Sequence, residues 1–421
     1  MSNPTDYFVG IFFGSCSDLS ANGPLSGILT FTSGISLIVS GSLDFGPNVL
    51  SAYDSDIKFS STSTGNTITS SGNTLTTGNC TFDGVGGEWS FSDNFSVGQI
   101  TLKNGSLNTN NQTVTTSAIS SQNQNTRDLS FGSSVINLSS TFPFDFNLVG
   151  LTFDAGTSQI NMTSPFGIQF STYSLTYYNV SFTNLSNFDN FIFSNAVFGP
   201  NVIFNDLSFL PPVSGIASVI FGDNVTVNGT FTSSGSDYST RIFIRGNLLG
   251  SAVEISTVSY SPSFCDFRDI TIDNPSSPVS GTSLGDCGGN FGITFDTPKT
   301  VYWNLAGSNN WASNAWASTS GGSTSSSNFP LAQDTAVFNN AGSITQVSIA
   351  DSFQIGTIDC SSRTSSMNID VQSSPSFYGD IIFSSSVSVS GTQTINLTSR
   401  TTQNITSSGV VFTTAINFSN V

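Results

Sequence analysis

The sequence predicts an all-β chain wound as a right-handed parallel β-helix, a β-solenoid. Three observations carry that expectation. Short apolar-x-Phe triplets recur along the chain, longer peptides repeat at roughly the length of one coil, and only 8% of residues are charged, against about 25% in an ordinary soluble domain. The surface must therefore be built from Ser, Thr, Asn and Gly. Those residues disfavour helices, because their side chains compete for backbone hydrogen bonds and Gly adds entropy cost.

The triplets come first. Leu43-Asp44-Phe45, Leu129-Ser130-Phe131, Leu151-Thr152-Phe153, Val180-Ser181-Phe182, Leu207-Ser208-Phe209 and Ile381-Ile382-Phe383 share one form. In a strand the outer residues of such a triplet point to one face, placing two side chains in a core and one towards solvent. With 37% hydrophobic residues and 37 Phe spread along 421 positions, the chain has enough apolar surface to fold.

The repeats come next. Ile136-Asn137-Leu138-Ser139-Ser140 returns as Ile160-Asn161-Met162-Thr163-Ser164 and again as Ile395-Asn396-Leu397-Thr398-Ser399. Ile68-Thr69-Ser70-Ser71-Gly72 returns as Ile405-Thr406-Ser407-Ser408-Gly409, and Thr126-Arg127 with Gly132 is echoed by Thr240-Arg241 with Gly246. A period on the order of 20–25 residues is a solenoid signature, in which coils that cannot bury an apolar face alone share one core. At roughly 22 residues per coil the chain makes about 19 coils, a rod on the order of 90 Å at ~4.8 Å per coil. The competing fold, tandem β-sandwich domains, predicts hairpins at Asn104-Gly105 and Asn228-Gly229.

Composition shifts divide the chain into an N-terminal cap or attachment segment (1–42), a main solenoid (43–297), a Trp-rich junction (298–342) and a second solenoid segment (343–421). The last residues stop in mid-pattern, so the natural chain is expected to continue past Val421.

Several chemistries are excluded. The chain has no His, which removes Ser-His-Asp and Cys-His triads and His-based zinc sites. Its net charge of −17, from 26 Asp+Glu against 9 Lys+Arg, argues against nucleic acid and anionic membranes as partners. No cofactor or metal is expected: the five cysteines form no CxxC pair, and no GGxGxD calcium repeat occurs. Cys265 and Cys287 either bridge locally in a disulfide or serve as small buried hydrophobes, as Cys16, Cys80 and Cys360 would. The segment after Met1 lacks a basic stretch and has only a short apolar run, so no ordinary export signal is expected. No run is long enough for membrane insertion.

The segment Trp303-Asn304, Asn310-Trp311, Asn314-Ala315-Trp316, Pro330, Asp334-Thr335-Ala336-Val337-Phe338 and onward to Ile358 resembles the Trp-rich module of autotransporter-type and adhesin-type β-helix proteins. Ala315 replaces the Asn expected before Trp316. Residues 87–114 and 393–418 resemble repeats of large phage tail and virion-surface proteins. The resemblance implies a structural or adhesive role at a virion surface (tail fibre, spike or appendage) or at a cell surface. The implied partners are further copies of the chain, other structural proteins or a cell-surface glycan. It transfers no catalytic residue.

Glycan-cleaving enzymes also use this architecture. They need two carboxyl groups ~5–9.5 Å apart in one groove, for which Asp54/Asp56, Asp266/Asp269 and Asp286 are the conceivable members, with Arg268 beside two of them. Turn and surface roles explain these aspartates more simply. Trp303, Trp311 and Trp316 are the residues available for a sugar-stacking platform; the plainer reading has them filling the core where two solenoid segments join.

Overall fold

The computed structural model describes residues 15–16, 19–20, 37–45, 56–171, 173–183, 190–194 and 202–418. It is a β-solenoid of about 16 turns, and its only helical element among the described residues is the short 3-10 turn Ser326–Asn328. The chain divides into two compact units, one of Met1–Thr183 and Ser194–Leu207, the other of Asn184–Phe193 and Ser208–Val421.

Coil stacks on coil in register in the first unit. Ile136, Asn137 and Leu138 pair in parallel with Ile160, Asn161 and Met162, so the sequence repeat is a spatial repeat of 24 residues. The same strand pairs on its other side with Thr113–Thr116. Five of the six apolar-x-Phe triplets bury both outer residues and leave the middle one at partial exposure. The exception is Leu151-Thr152-Phe153, whose outer residues stay half-buried.

The interior is a column of large side chains. Val39, Phe59, Phe82 and Leu102 occupy one position in four successive coils, and the Phe59 and Phe82 rings stack with centroids 4.9 Å apart. Each such ring removes apolar area from water and adds a contact worth about 0.5–1.5 kcal/mol beyond that burial.

The outward positions are ladders of polar side chains. Asn161 donates to Asn137 at 2.9 Å, and Asn137 donates to Thr115 at 3.3 Å. Asn205 repeats the bond with Asn179 at 3.0 Å.

In the second unit, Ile216–Phe221, Arg241–Gly246, Ser263–Arg268 and Thr282–Asp286 stack in parallel. Residues 300–418 then form three sheets, parallel but for one strand pair, whose strands include Thr335–Val337, Ile344–Ile349 and Ile395–Leu397. One antiparallel strand pair occurs among the described residues, Tyr302 and Trp303 with Ala317 and Trp316.

The coil count falls below the sequence expectation because some coils carry long excursions. Asp334 lies 35 residues from its neighbour Lys299, and Glu254 lies 30 from Asn224. The sandwich alternative is overturned by the pairing. Asn104-Gly105 lies inside strand Phe95–Asn108, and Asn228-Gly229 sits at a register shift within Val225–Ser233. Gly105 turns a corner at φ +78°, where a Cβ would meet the Gly87 carbonyl at 2.4 Å.

Candidate functional site

The three tryptophans are core residues. Trp303, Trp311 and Trp316 are 0–1% exposed and pack edge to face around Trp316, each partner ring 5.0 Å from it. Trp303 donates its indole N–H to the Leu305 carbonyl, and Trp316 donates to that of Trp311. The expectation of a sugar platform on these residues is therefore corrected. Trp316 borders a 310 Å³ pocket beside Tyr238 and Phe264, but its ring is spent on the cluster that the antiparallel pairing folds together. Asp334, the acidic residue of the same motif, is buried and accepts N–H bonds from Leu331 and Lys299.

A Cys265–Cys287 disulfide is likewise absent, since both thiols are free. Cys265 pairs with Leu284, whereas Cys287 lies beyond the strand that holds Leu284. Three residues of strand separate their levels by ~10 Å. Burial pushes the Cys265 thiol up to about 11 and the Cys360 thiol up to about 12, and raises those of Cys80 and Cys287 as well. These thiols are small core hydrophobes.

The carboxylates considered for glycan cleavage are engaged elsewhere. Asp266 is buried and accepts a bidentate pair from Arg241 at 2.9 and 2.7 Å. Asp269 is buried between Arg400 at 2.6 Å and Arg268 at 3.4 Å. Arg268 is thus an interior ion partner, not the surface one its sequence context suggested. Asp286 accepts from Gly288 N–H and the Asn290 amide. Asp56 is exposed and accepts from Asn79 N–H; Asp54 lies outside the described residues. Four of the six arginines, Arg241, Arg245, Arg268 and Arg400, belong to this region of the second unit, where a 220 Å³ pocket is lined by Arg400, Asp286, Gln333 and Tyr378.

The largest of these cavities lies in the first unit, at one corner of three successive coils. Gln122 and Gln124 follow strand Ala118–Ser121, Asn147, Leu148 and Val149 follow Phe144–Phe146, and Tyr173 follows Gln169–Ser171. The parallel register that sets Ser121 on Phe146 brings Gln122 level with Asn147. Together these residues line a groove of about 610 Å³. Tyr173 and Phe146 approach with ring centroids 5.7 Å apart, and the Tyr173 hydroxyl oxygen accepts from Phe146 N–H. Val149 stands 59% exposed at the rim.

Arg127 fixes this corner from beneath. It is fully buried and donates to the carbonyls of Ser121, Asn125, Asn147 and Val149 and to the Ser121 hydroxyl, at 2.5–2.9 Å. Three of the backbone carbonyls it grips, those of Asn125, Asn147 and Val149, belong to the two loops that carry groove residues, and the fourth, Ser121, ends the strand that leads into the first of them. Burial lowers its pKa, yet the guanidinium stays charged. The echo recognised in the sequence holds here: Arg241 is buried in the corresponding way, but it grips a carboxylate. Sequence reasoning missed the groove. The signal available was the spacing of Gln122, Asn147 and Tyr173 at one coil length each.

The chain matches no known protein family, no curated protein and no solved structure.

Proposed function

We propose that this chain is a structural and adhesive component of a virion surface, a tail fibre, spike or related appendage, that presents stacked β-coils and assembles with copies of itself or with other structural proteins. The observation that carries the reading is how the polar side chains are used. Outward Asn, Ser and Thr bond to side chains of the next coil, so the side chains that give solubility also tie coil to coil. Such a surface is charge-poor and stiff, which suits a load-bearing external element. The buried ion pairs of Asp266 and Asp269 favour this over glycan cleavage, because both carboxylates are held away from solvent.

A cell-surface adhesin is the second reading. It is favoured by the Trp303–Trp316 cluster and the buried Asp334, which give the adhesin-like motif a core-closing role. Mass spectrometry of purified particles, together with the genomic neighbourhood, tests the first reading. Recovery of the protein in particles, from a gene among capsid and tail genes, is expected; a complete reading frame with an export signal and an outer-membrane anchor would favour the second instead.

A further inference from the structure

We infer that the corner groove of the first unit is a binding site for a short neutral oligosaccharide. The inference rests on the adhesive reading and names the ligand class that the groove takes. The first ground is unspent hydrogen-bonding capacity. Tyr173 uses its oxygen to accept from Phe146 N–H, which leaves its own proton to donate. Asn147 uses Oδ1 on Val149 N–H, leaving its Nδ2 as a donor. Gln122 donates its amide to Asp145, leaving its carbonyl oxygen as an acceptor. Gln124 is exposed and forms no hydrogen bond among the described residues. A ligand that donates and accepts along its length is required, and a string of sugar hydroxyls does both.

The second ground is the mixture of surfaces. The amides stand beside Leu148, Val149 and Tyr173, with the buried Phe146 beneath them, and aromatic and aliphatic walls such as Tyr173 and Val149 take the C–H faces of a sugar ring. The third is charge. No Lys, Arg, Asp or Glu lines the groove. The Arg127 guanidinium below it is already turned to five acceptors, and the Asp145 carboxylate beside Gln122 disfavours an anionic ligand. The fourth is preorganisation. Three coils at ~4.8 Å spacing extend roughly 10 Å along the stack, about two sugar rings end to end, and Arg127 holds two of the three loops in place. Tyr173 and Ser174 sit at φ +53° and +57°, a conformation non-glycine residues adopt at some expense and which concentrates at binding sites.

The test is calorimetric titration of the full chain with a panel of neutral hexose and N-acetylhexosamine oligosaccharides, beside uronic-acid and sulfated ones. The wild-type protein is expected to bind at least one neutral member and to prefer it to acidic analogues. Gln124→Ala and Gln122→Ala, both at exposed positions, are expected to weaken binding roughly tenfold each with unchanged melting temperature. Tyr173→Ala is expected to weaken it further. No binding to any neutral oligosaccharide, a preference for acidic ones, or undiminished binding in both glutamine variants would overturn the inference. Particle composition is read separately. A protein found in particles but blind to glycans retires the groove site alone, and a glycan-binding protein absent from particles retires the virion assignment alone.

Discussion

Replacing Arg127 should loosen one corner of the first unit while leaving the rest of the fold in place. Arg127→Met keeps the approximate length of the side chain and removes every donor. The Ser121 carbonyl keeps its bond from Asn147 N–H, but the carbonyls of Asn125, Asn147 and Val149 lose the guanidinium. A buried acceptor left without a partner costs about 1–3 kcal/mol. These three are partly buried, so the low end applies and the sum is about 3 kcal/mol. Arg127→Lys keeps the charge but cannot fork across two coils, so it should lose about 2 kcal/mol. Because solenoid stability is a sum of nearest-neighbour terms, the loss should appear locally. Native-state hydrogen exchange should show amides of residues 118–154 opening on the order of a hundredfold faster in Arg127→Met, with residues 344–397 unchanged. Exchange in 118–154 within threefold of wild type would refute the assignment of Arg127 as the corner clip.

Three further outcomes follow from the second unit and the thiols. Trp311→Ala should destabilise the second unit by about 3–5 kcal/mol in a urea melt; Trp311→Phe should lose far less, because the Trp311 indole N–H has no partner to forfeit. Cys80, Cys265, Cys287 and Cys360 should resist iodoacetamide in the folded protein and react after denaturation, and no Cys265–Cys287 peptide should appear in a non-reducing digest. Burial raises the Asp334 carboxyl, against the pull of Leu331 N–H, Lys299 N–H and the Lys299 charge. A carboxyl raised by folding contributes stability that is complete below its unfolded value and fades as pH rises through its folded value. Asp334→Asn should therefore flatten the stability–pH curve of the second unit from about pH 4 upward, as read from urea midpoints.

Much of this architecture is legible in the sequence, because a solenoid writes its spatial repeat as a linear one. The Ile136 and Ile160 copies pair residue on residue. The Ile68 and Ile405 copies encode one turn, with Ser71 and Gly72 at φ +50° and +80° and Ser408 and Gly409 at +48° and +83°. The paired Thr-Arg echoes both mark buried arginines. The tryptophans were ambiguous because spacing gives strand position, not which side of a departing hairpin closes over the core. The antiparallel pairing of Trp303 with Trp316 decides that, and nothing in a parallel repeat announces it. The groove was hidden for the opposite reason. Gln122, Asn147 and Tyr173 are unlike in type, so no repeat joins them; only the coil register does.

That difference bears on where a ligand would be taken by such a fold. On the flat faces outward side chains meet their counterparts one coil away, as Asn161 donates to Asn137 and Ser388 donates to Asn368. Regular stacking therefore satisfies polar groups internally and leaves little to offer a ligand. At the corners the loops differ in sequence from coil to coil, so their side chains have no matching partner. A corner whose backbone is held still without using those side chains is preorganised to bind. The two echoed arginines separate the cases. Arg241 closes its corner on Asp266 and Ser283, consuming side chains. Arg127 spends four of its five bonds on backbone carbonyls and reaches one side chain, Ser121. The amides of Gln122, Gln124 and Asn147 are left with capacity to spare above a fixed floor, and that is why the corner over Arg127, rather than the one over Arg241, is the site proposed for a glycan.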